Sequence, residues 1–185
     1  MNGIVVLEMQ NDFYDPESFI FVGEMAKAMI PNIQKLIKAA RGMKVPLIYC
    51  NNTYIKDDYL YGKTPLHCFP GTAQYEIIDE VKPEEEDHII PVYAMDAFLN
   101  SLLERILRSL KISRLFITGL STDIGCLLTA MGAFQRGFEV YLISDCCATR
   151  SEEKHQMALN YLKPFTKVVT ADEAIEKLTK ENVRS

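Results

Sequence analysis

The stretch Thr118-Gly-Leu-Ser-Thr-Asp-Ile-Gly-Cys-Leu-Leu-Thr-Ala130 holds the residues whose types and spacing point most directly to chemistry. An apolar run, Leu115 to Thr118, enters a glycine-containing turn, and a small-residue helix is predicted to start near Gly125. α/β enzymes often place a nucleophile at such a junction, where the helix N-terminus favours a thiolate. Cys126 is the thiol in this turn, and two readings of it stand together. It is either an attacking group or a small buried residue packing the helix onto the sheet. Asp123 has two readings as well, a second carboxylate of the site or the cap of the following helix.

The remaining reactive side chains give less. Cys50, Cys68, Cys126, Cys146 and Cys147 are odd in number and contain no C-x-x-C, so reduced thiols are expected. Adjacent Cys146 and Cys147 read as small apolar residues at a strand end. His67, His88 and His155 are far apart, and nothing has zinc-ligand spacing. There is no Walker loop and no G-x-G-x-x-G. We expect no nucleotide, no other cofactor and no metal.

The elements that must position these groups alternate along the chain. Strands are predicted at Ile4–Leu7, Val45–Cys50, His88–Val92, Leu115–Thr118, Phe138–Ile143 and Thr166–Thr170. Helices are predicted at Met25–Arg41, with Gly42 as the stop, and at Leu99–Leu110, Gly125–Arg136, Ser151–Leu162 and Ala171–Thr179. Ala73–Val81 is read as a short helix, and "KPEEED" after it as a solvated turn. Asn51–Thr72 is rich in Pro, Gly and aromatics, and its length suggests a loop over a site. Its Tyr54, Tyr59, Tyr61 and Phe69, with Phe13, either wall a small pocket or pack a dimer contact. Strands separated by helices imply a parallel sheet covered on both faces. Ligands in such folds bind outside the carboxyl ends of the strands, where strand order reverses. The segments Glu8–Phe13, Val92–Phe98 and Gly119–Cys126 should therefore meet.

Bulk properties bound the function. A chain of 185 residues reads as one domain over residues 1–185. A hydrophobic share of 48% with 24% charged residues is that of an ordinary globular protein. With a net charge of −5 and no basic block interleaved with aromatics, no nucleic-acid partner is expected. No apolar run reaches membrane-spanning length, and no signal peptide is read, so a cytoplasmic protein without membrane contact is expected.

Four motifs resemble a known family. "VVLEMQNDF" (Val5–Phe13), "DAF" (Asp96–Phe98), "ITGLSTDIGCLLTA" (Ile117–Ala130) and "SDCCATRSEEKHQMALNYL" (Ser144–Leu162) are similar, in order, to motifs of the isochorismatase-like hydrolases. That superfamily includes nicotinamidases, N-carbamoylsarcosine amidohydrolases and isochorismatases. The last motif has a strand-end Asp, then Ser, His and Leu-x-Tyr, here Asp145, Ser151, His155, Leu159 and Tyr161. The resemblance implies a three-layer α/β/α sandwich with a six-stranded, mostly parallel sheet in the order 3-2-1-4-5-6. It also implies a cis peptide bond at Leu120-Ser121, a small-molecule ligand, and a homodimer or higher homo-oligomer.

For chemistry, the amidase branch implies an Asp-Lys-Cys triad, with the Cys attacking, the Asp as general base then acid, and the Lys holding charge near both. The Asp position directly precedes Met9-Gln10-Asn11-Asp12-Phe13 and holds Glu8. The Lys position lies six residues before Phe98 and holds Val92. The Cys position lies three residues after Thr122 and four before Thr129, and both counts give Gly125. Cys126 is one residue late, a turn of about 100° on a helix. Isochorismatases also carry a Gly there, in the same Ile-Gly-Cys sequence. Their reaction, as the resemblance implies, protonates a vinyl ether with the first-motif carboxylic acid and lets water attack. Glu8 would supply that proton, since burial raises a carboxyl pKa. Being longer than Asp by one methylene, it would place that proton differently. The metal-binding Asp-x-His that some nicotinamidases carry after strand two is replaced here by Asn51-Asn52-Thr53-Tyr54. His67 resembles a loop motif, and a lone His is more often a hydrogen-bonded loop residue.

The expected pocket is thus lined by Phe13, Val92, Leu120, Ser121 and Gly125, with Glu8 and Cys126 as candidate catalytic residues. Three functions follow in order: a non-covalent hydrolase of a small metabolite using Glu8, a non-catalytic binding protein that keeps the pocket, and a cysteine amidase using Cys126.

Overall fold

The computed structural model describes residues 1–60 and 63–182. Tyr61, one of the candidate wall aromatics, lies outside them. Six strands form one sheet: β1 (Asn2–Leu7), β2 (Leu47–Asn52), β3 (His88–Val92), β4 (Arg114–Leu120), β5 (Glu139–Ala148) and β6 (Lys167–Val169). The order is β3-β2-β1-β4-β5-β6 and every pairing is parallel, the last one included. Strand β1 lies inside the sheet, with Ile4 opposite both Leu47 and Phe116.

The continuous apolar runs follow from burial on both faces. Ile4 and Val6 point into one core, with Tyr49, Phe116 and Tyr141. That core is covered by α1 (Glu24–Ala28), α2 (Ile30–Gly42) and α6 (Ala171–Asn182), through residues such as Ala26, Leu36 and Leu178. Val5 and Leu7 point into the other, with Ile48 and Ile117. It is covered by α3 (Leu103–Ser109), α4 (Leu127–Gln135) and α5 (Glu152–Leu162), through Leu103, Ala130 and Leu162. These layers make the three-layer α/β/α sandwich that the resemblance implied, and they cover the parallel sheet on both faces as the alternation implied. No helix among the described residues is long and apolar enough to cross a membrane.

The departures from expectation have local causes. The first predicted helix is two helices, α1 and α2, meeting at Met29, with Pro31 in the first turn of α2, where a missing N–H does no harm. Helix α3 begins at Leu103, not Leu99. Asn100 before it has a positive φ of 54°, which a helix does not admit, and Asp96 Oδ1 accepts from the Phe98 N–H at 3.0 Å. Ala73–Val81 holds only two 3-10 turns, Ala73–Tyr75 and Asp79–Val81. The chain between them is drawn out straight, because Ile77 bridges Gln10 and the Ile78 N–H donates to the Met9 carbonyl at 2.9 Å.

The end of β4 is shaped for the site. Gly119 has φ 113°, and a Cβ there would overlap the Leu7 carbonyl, so only glycine lets β4 run this close to β1. The β4–β5 register shifts between Ile117 and Gly119. The Leu120–Ser121 peptide bond is cis. A π-helical turn, Thr122–Cys126, then leads into α4. The regular helix therefore starts at Leu127 rather than at Gly125.

Candidate active site

A cavity of about 300 Å³ opens at the carboxyl ends of the strands. That is the small end of the range for ligand pockets and suits a small metabolite. The three expected segments meet there, through Glu8 and Phe13, Met95, and Ser121 with Asp123 and Ile124.

Glu8 is the first residue past β1. Its backbone is left-handed, φ 55°, which turns the side chain out of the strand's alternation. The residue is only 7% exposed. The Asn52 Nδ2 donates to Glu8 Oε1 at 3.3 Å. Burial pushes the carboxyl pKa up to about 8, opposed by the Asn52 hydrogen bond alone. Among the described residues no cation enters that balance, although Arg150 and Lys154 line the same cavity.

Gly125 lies against the other carboxyl oxygen. A Cβ on it would stand 3.3 Å from Glu8 Oε2 and 2.8 Å from the Leu120 carbonyl oxygen. Cys126 turns the opposite way. It is fully buried in the core under α4, and its Sγ–H donates to the Gly119 carbonyl at 3.4 Å. Burial raises its thiol pKa well above the ordinary value, and neighbouring Cys147 adds to the rise. Val92 ends β3 inside that same core, and Leu120 is buried in the core of the opposite face. Of the expected pocket residues, Phe13 and Ser121 line the cavity with Glu8, while Val92, Leu120 and Gly125 are not among the lining residues. Gly125 touches the site through the space it leaves beside Glu8.

Asp123 does not cap a helix. It lines the cavity, and Thr149 Oγ1 donates to its Oδ1 at 2.6 Å. His67 is buried, its Nδ1 2.8 Å from the Pro65 carbonyl and its ring edge-on to Tyr54. Of the loop aromatics, Tyr59 is 75% exposed, and Phe69 lines a neighbouring groove rather than the cavity.

The family motifs outside the cavity hold its frame. The "DAF" backbone is tied to α4 where Thr129 Oγ1 accepts from the Ala97 N–H at 3.0 Å. His155 Nδ1 and Thr122 Oγ1 are hydrogen-bonded at 2.8 Å, which fixes the turn to α5. Asp145 accepts from the Ala171 N–H at the start of α6, and Ser151 accepts from the Lys154 N–H at the start of α5.

Sequence reasoning missed Asn52, Thr149, Arg150 and Lys154, all of which line the cavity. The available signal was the strand-end rule applied to β2 and β5. Asn51 and Asn52 close an otherwise apolar β2, and Thr149 directly follows β5. Arg150 donates to the carbonyls of Phe19 and Phe21 at 2.7 and 3.0 Å, holding an apolar flap, with Phe19 and Val22, against the opening. Among the described residues, no three His, Cys, Asp or Glu side chains gather as metal ligands.

Residues 2–173 match the family described as the isochorismatase domain. The chain is 29% identical over 167 residues to the isochorismatase of Bacillus subtilis, covering 85% of this chain and 51% of that protein. It thus spans about half the length of that relative. It is 25% identical over 177 residues to the uncharacterised isochorismatase family protein YaaI of the same organism, covering 94% and 96% of the two chains. The solved structure of an isochorismatase-like hydrolase from Alkaliphilus metalliredigens superposes with a TM-score of 0.90 at 29% identity, covering 95% of this chain and 98% of that one.

Proposed function

We propose, for a chain that belongs to the isochorismatase family of hydrolases, that it hydrolyses a small metabolite without a covalent intermediate, with Glu8 as the acid and residues 1–185 forming one such domain. The observation that carries this is the environment of Glu8: the carboxyl lines the cavity while buried, its hydrogen bond comes from the neutral Asn52 amide, and burial pushes its pKa up to about 8. A carboxylic acid of that kind still holds its proton at neutral pH and can give it away.

The chemistry follows from the two oxygens. Oε1 accepts from Asn52, and Oε2 lies on the Gly125 side. With glycine at 125, no side chain from that position covers Oε2. Transfer of the Glu8 proton to an unsaturated carbon of a vinyl ether, or a comparably acid-labile group, makes the adjoining carbon electrophilic. Water adds to that carbon and returns one proton to Glu8. The hemiketal so formed collapses to a carbonyl as the C–O bond breaks, its hydroxyl proton passing to the leaving oxygen. No protein nucleophile is consumed, which agrees with the inward-facing Cys126. The polar groups of the cavity other than Glu8 and Asn52, among them Asp123, Arg150 and Lys154, would orient the ligand.

The test is a thermal-shift screen against a metabolite mixture, followed by turnover of each hit. Glu8→Gln should lower turnover by about 10²–10⁴-fold, the usual contribution of a positioned acid, while binding persists. Cys126→Ser should leave the rate unchanged. Binding without turnover by the wild type would replace this reading with a non-catalytic binding protein. Loss of turnover in Cys126→Ser would replace it with a cysteine amidase.

A further inference from the structure

We propose that Asn52 is the positioning residue of the acid: its amide holds Oε1 of Glu8, so that the carboxyl proton is carried by Oε2, the oxygen on the Gly125 side. This rests on the reading of Glu8 as the acid.

Asn52 is the last residue of β2 and is 7% exposed. Its Nδ2 donates to Glu8 Oε1, while its Oδ1 meets no donor among the described residues. Buried amides are normally satisfied at both ends. Among the described residues its side chain is committed to Glu8.

Its own position is clamped from behind. Gln10, fully buried, donates from Nε2 to the Asn52 carbonyl and to the Tyr75 carbonyl, both at 3.0 Å. The amide therefore meets Glu8 from a fixed backbone. Within a neutral carboxyl, the oxygen that faces an N–H donor is the better place for the C=O, and the hydroxyl falls to the other oxygen. Here that other oxygen is Oε2.

Other titratable groups surround Glu8. Buried thiols adjoin it, Cys50 from β2, Cys68 from the following loop and Cys126 from the π-helical turn. Across the cavity stand Asp123, His67, Arg150 and Lys154.

The experiment uses the whole protein without ligand. Carboxyl-¹³C glutamate labelling and an NMR titration follow Glu8, assigned by the signal lost in Glu8→Gln. The infrared difference spectrum between wild type and Glu8→Gln gives the C=O stretch of the protonated acid. In Asn52→Leu the titration midpoint should rise by on the order of one pH unit, the worth of one hydrogen bond. The C=O band should move to higher frequency, because the carbonyl has lost its donor. An unmoved midpoint and band in a folded Asn52→Leu protein overturn the proposal. If that variant does not fold, the near-isosteric Asn52→Asp replaces it. A second carboxyl at hydrogen-bond distance should raise the Glu8 midpoint, and an unchanged midpoint overturns the proposal equally. Failure of the acid reading looks different: Glu8→Gln would retain turnover whatever the titration shows.

Discussion

Glu8 titrates from inside the fold, so its proton is linked to folding stability. Its ordinary pKa of 4.5 is raised to about 8 by burial. For an acid with a raised folded-state pKa, the native state binds the extra proton, and stability falls as pH rises. The sign is therefore definite: no penalty below about pH 4.5, a steady loss through the window up to about 8, and a plateau above it. At about 1.36 kcal/mol per pH unit the full loss is on the order of 5 kcal/mol, of which about 3–4 kcal/mol falls between pH 5 and 8. Glu8→Gln mimics the protonated acid in size and keeps an oxygen for the Asn52 N–H, but it cannot ionise. Its stability relative to wild type should climb by that amount from pH 5 to pH 8, a relative gain in melting temperature of roughly 10 °C for a chain of this size. Other groups titrate alike in both proteins and cancel in the difference. Urea unfolding of both proteins at several pH values across this window measures it. A flat difference would mean that Glu8 ionises at an ordinary pKa, and the acid would lose its physical basis.

The remaining predictions concern the neighbours of Glu8. All five cysteines are buried, and the pKa of Cys126 is raised, so the native protein should react slowly with a thiol reagent at pH 7 and release its full thiol count only in denaturant. Fast labelling of Cys126 in the native state would contradict its placement. Gly125→Ala should destabilise by about 1–3 kcal/mol in urea unfolding, since the new Cβ would stand 2.8 Å from the Leu120 carbonyl. Arg150→Ala removes the two hydrogen bonds to Phe19 and Phe21. Limited proteolysis should then cut between residues 15 and 22 faster than in wild type, while global stability changes by no more than about 0.5–1 kcal/mol.

The sheet was legible because its signal is local. Ile4–Leu7, His88–Val92 and Leu115–Thr118 are apolar runs too short for buried helices, and once they alternate with helices, few parallel arrangements remain. Strand order placed the site at the ends of β1 and β4. Element boundaries were less legible where a distant partner sets them. Ala73–Val81 has helical spacing, yet Met9 and Gln10 hold Ile77 and Ile78 in an extended path. The polar half of the cavity was the least legible. Asn52 was read only as the absence of a metal ligand, since nothing local says that its amide meets a carboxyl 44 positions away. Arg150 and Lys154 look like ordinary surface cations until β5 extends to Ala148 and brings them to the opening.

The one-residue offset between Gly125 and Cys126 has a geometric meaning beyond the counting that located it. The π-helical turn sends the Cα–Cβ direction of residue 125 toward Glu8 Oε2 and the side chain of residue 126 toward the Gly119 carbonyl. These are two different directions, and the Cys126 side chain is fully buried in the core under α4. Nor does the present backbone accept a side chain at 125, because the Leu120 carbonyl occupies its path. Cysteine chemistry would need the turn displaced and a thiolate stabilised beside a carboxyl that keeps its own proton, with Val92 offering no cation. The same features suit an acid that works alone. On the proposed reading, burial raises the Glu8 pKa and favours its proton at neutral pH, and glycine at 125 keeps a side chain off Oε2. On that reading Glu8 and Gly125 belong to one site, while the Val92 side chain is buried in the core and does not line the cavity.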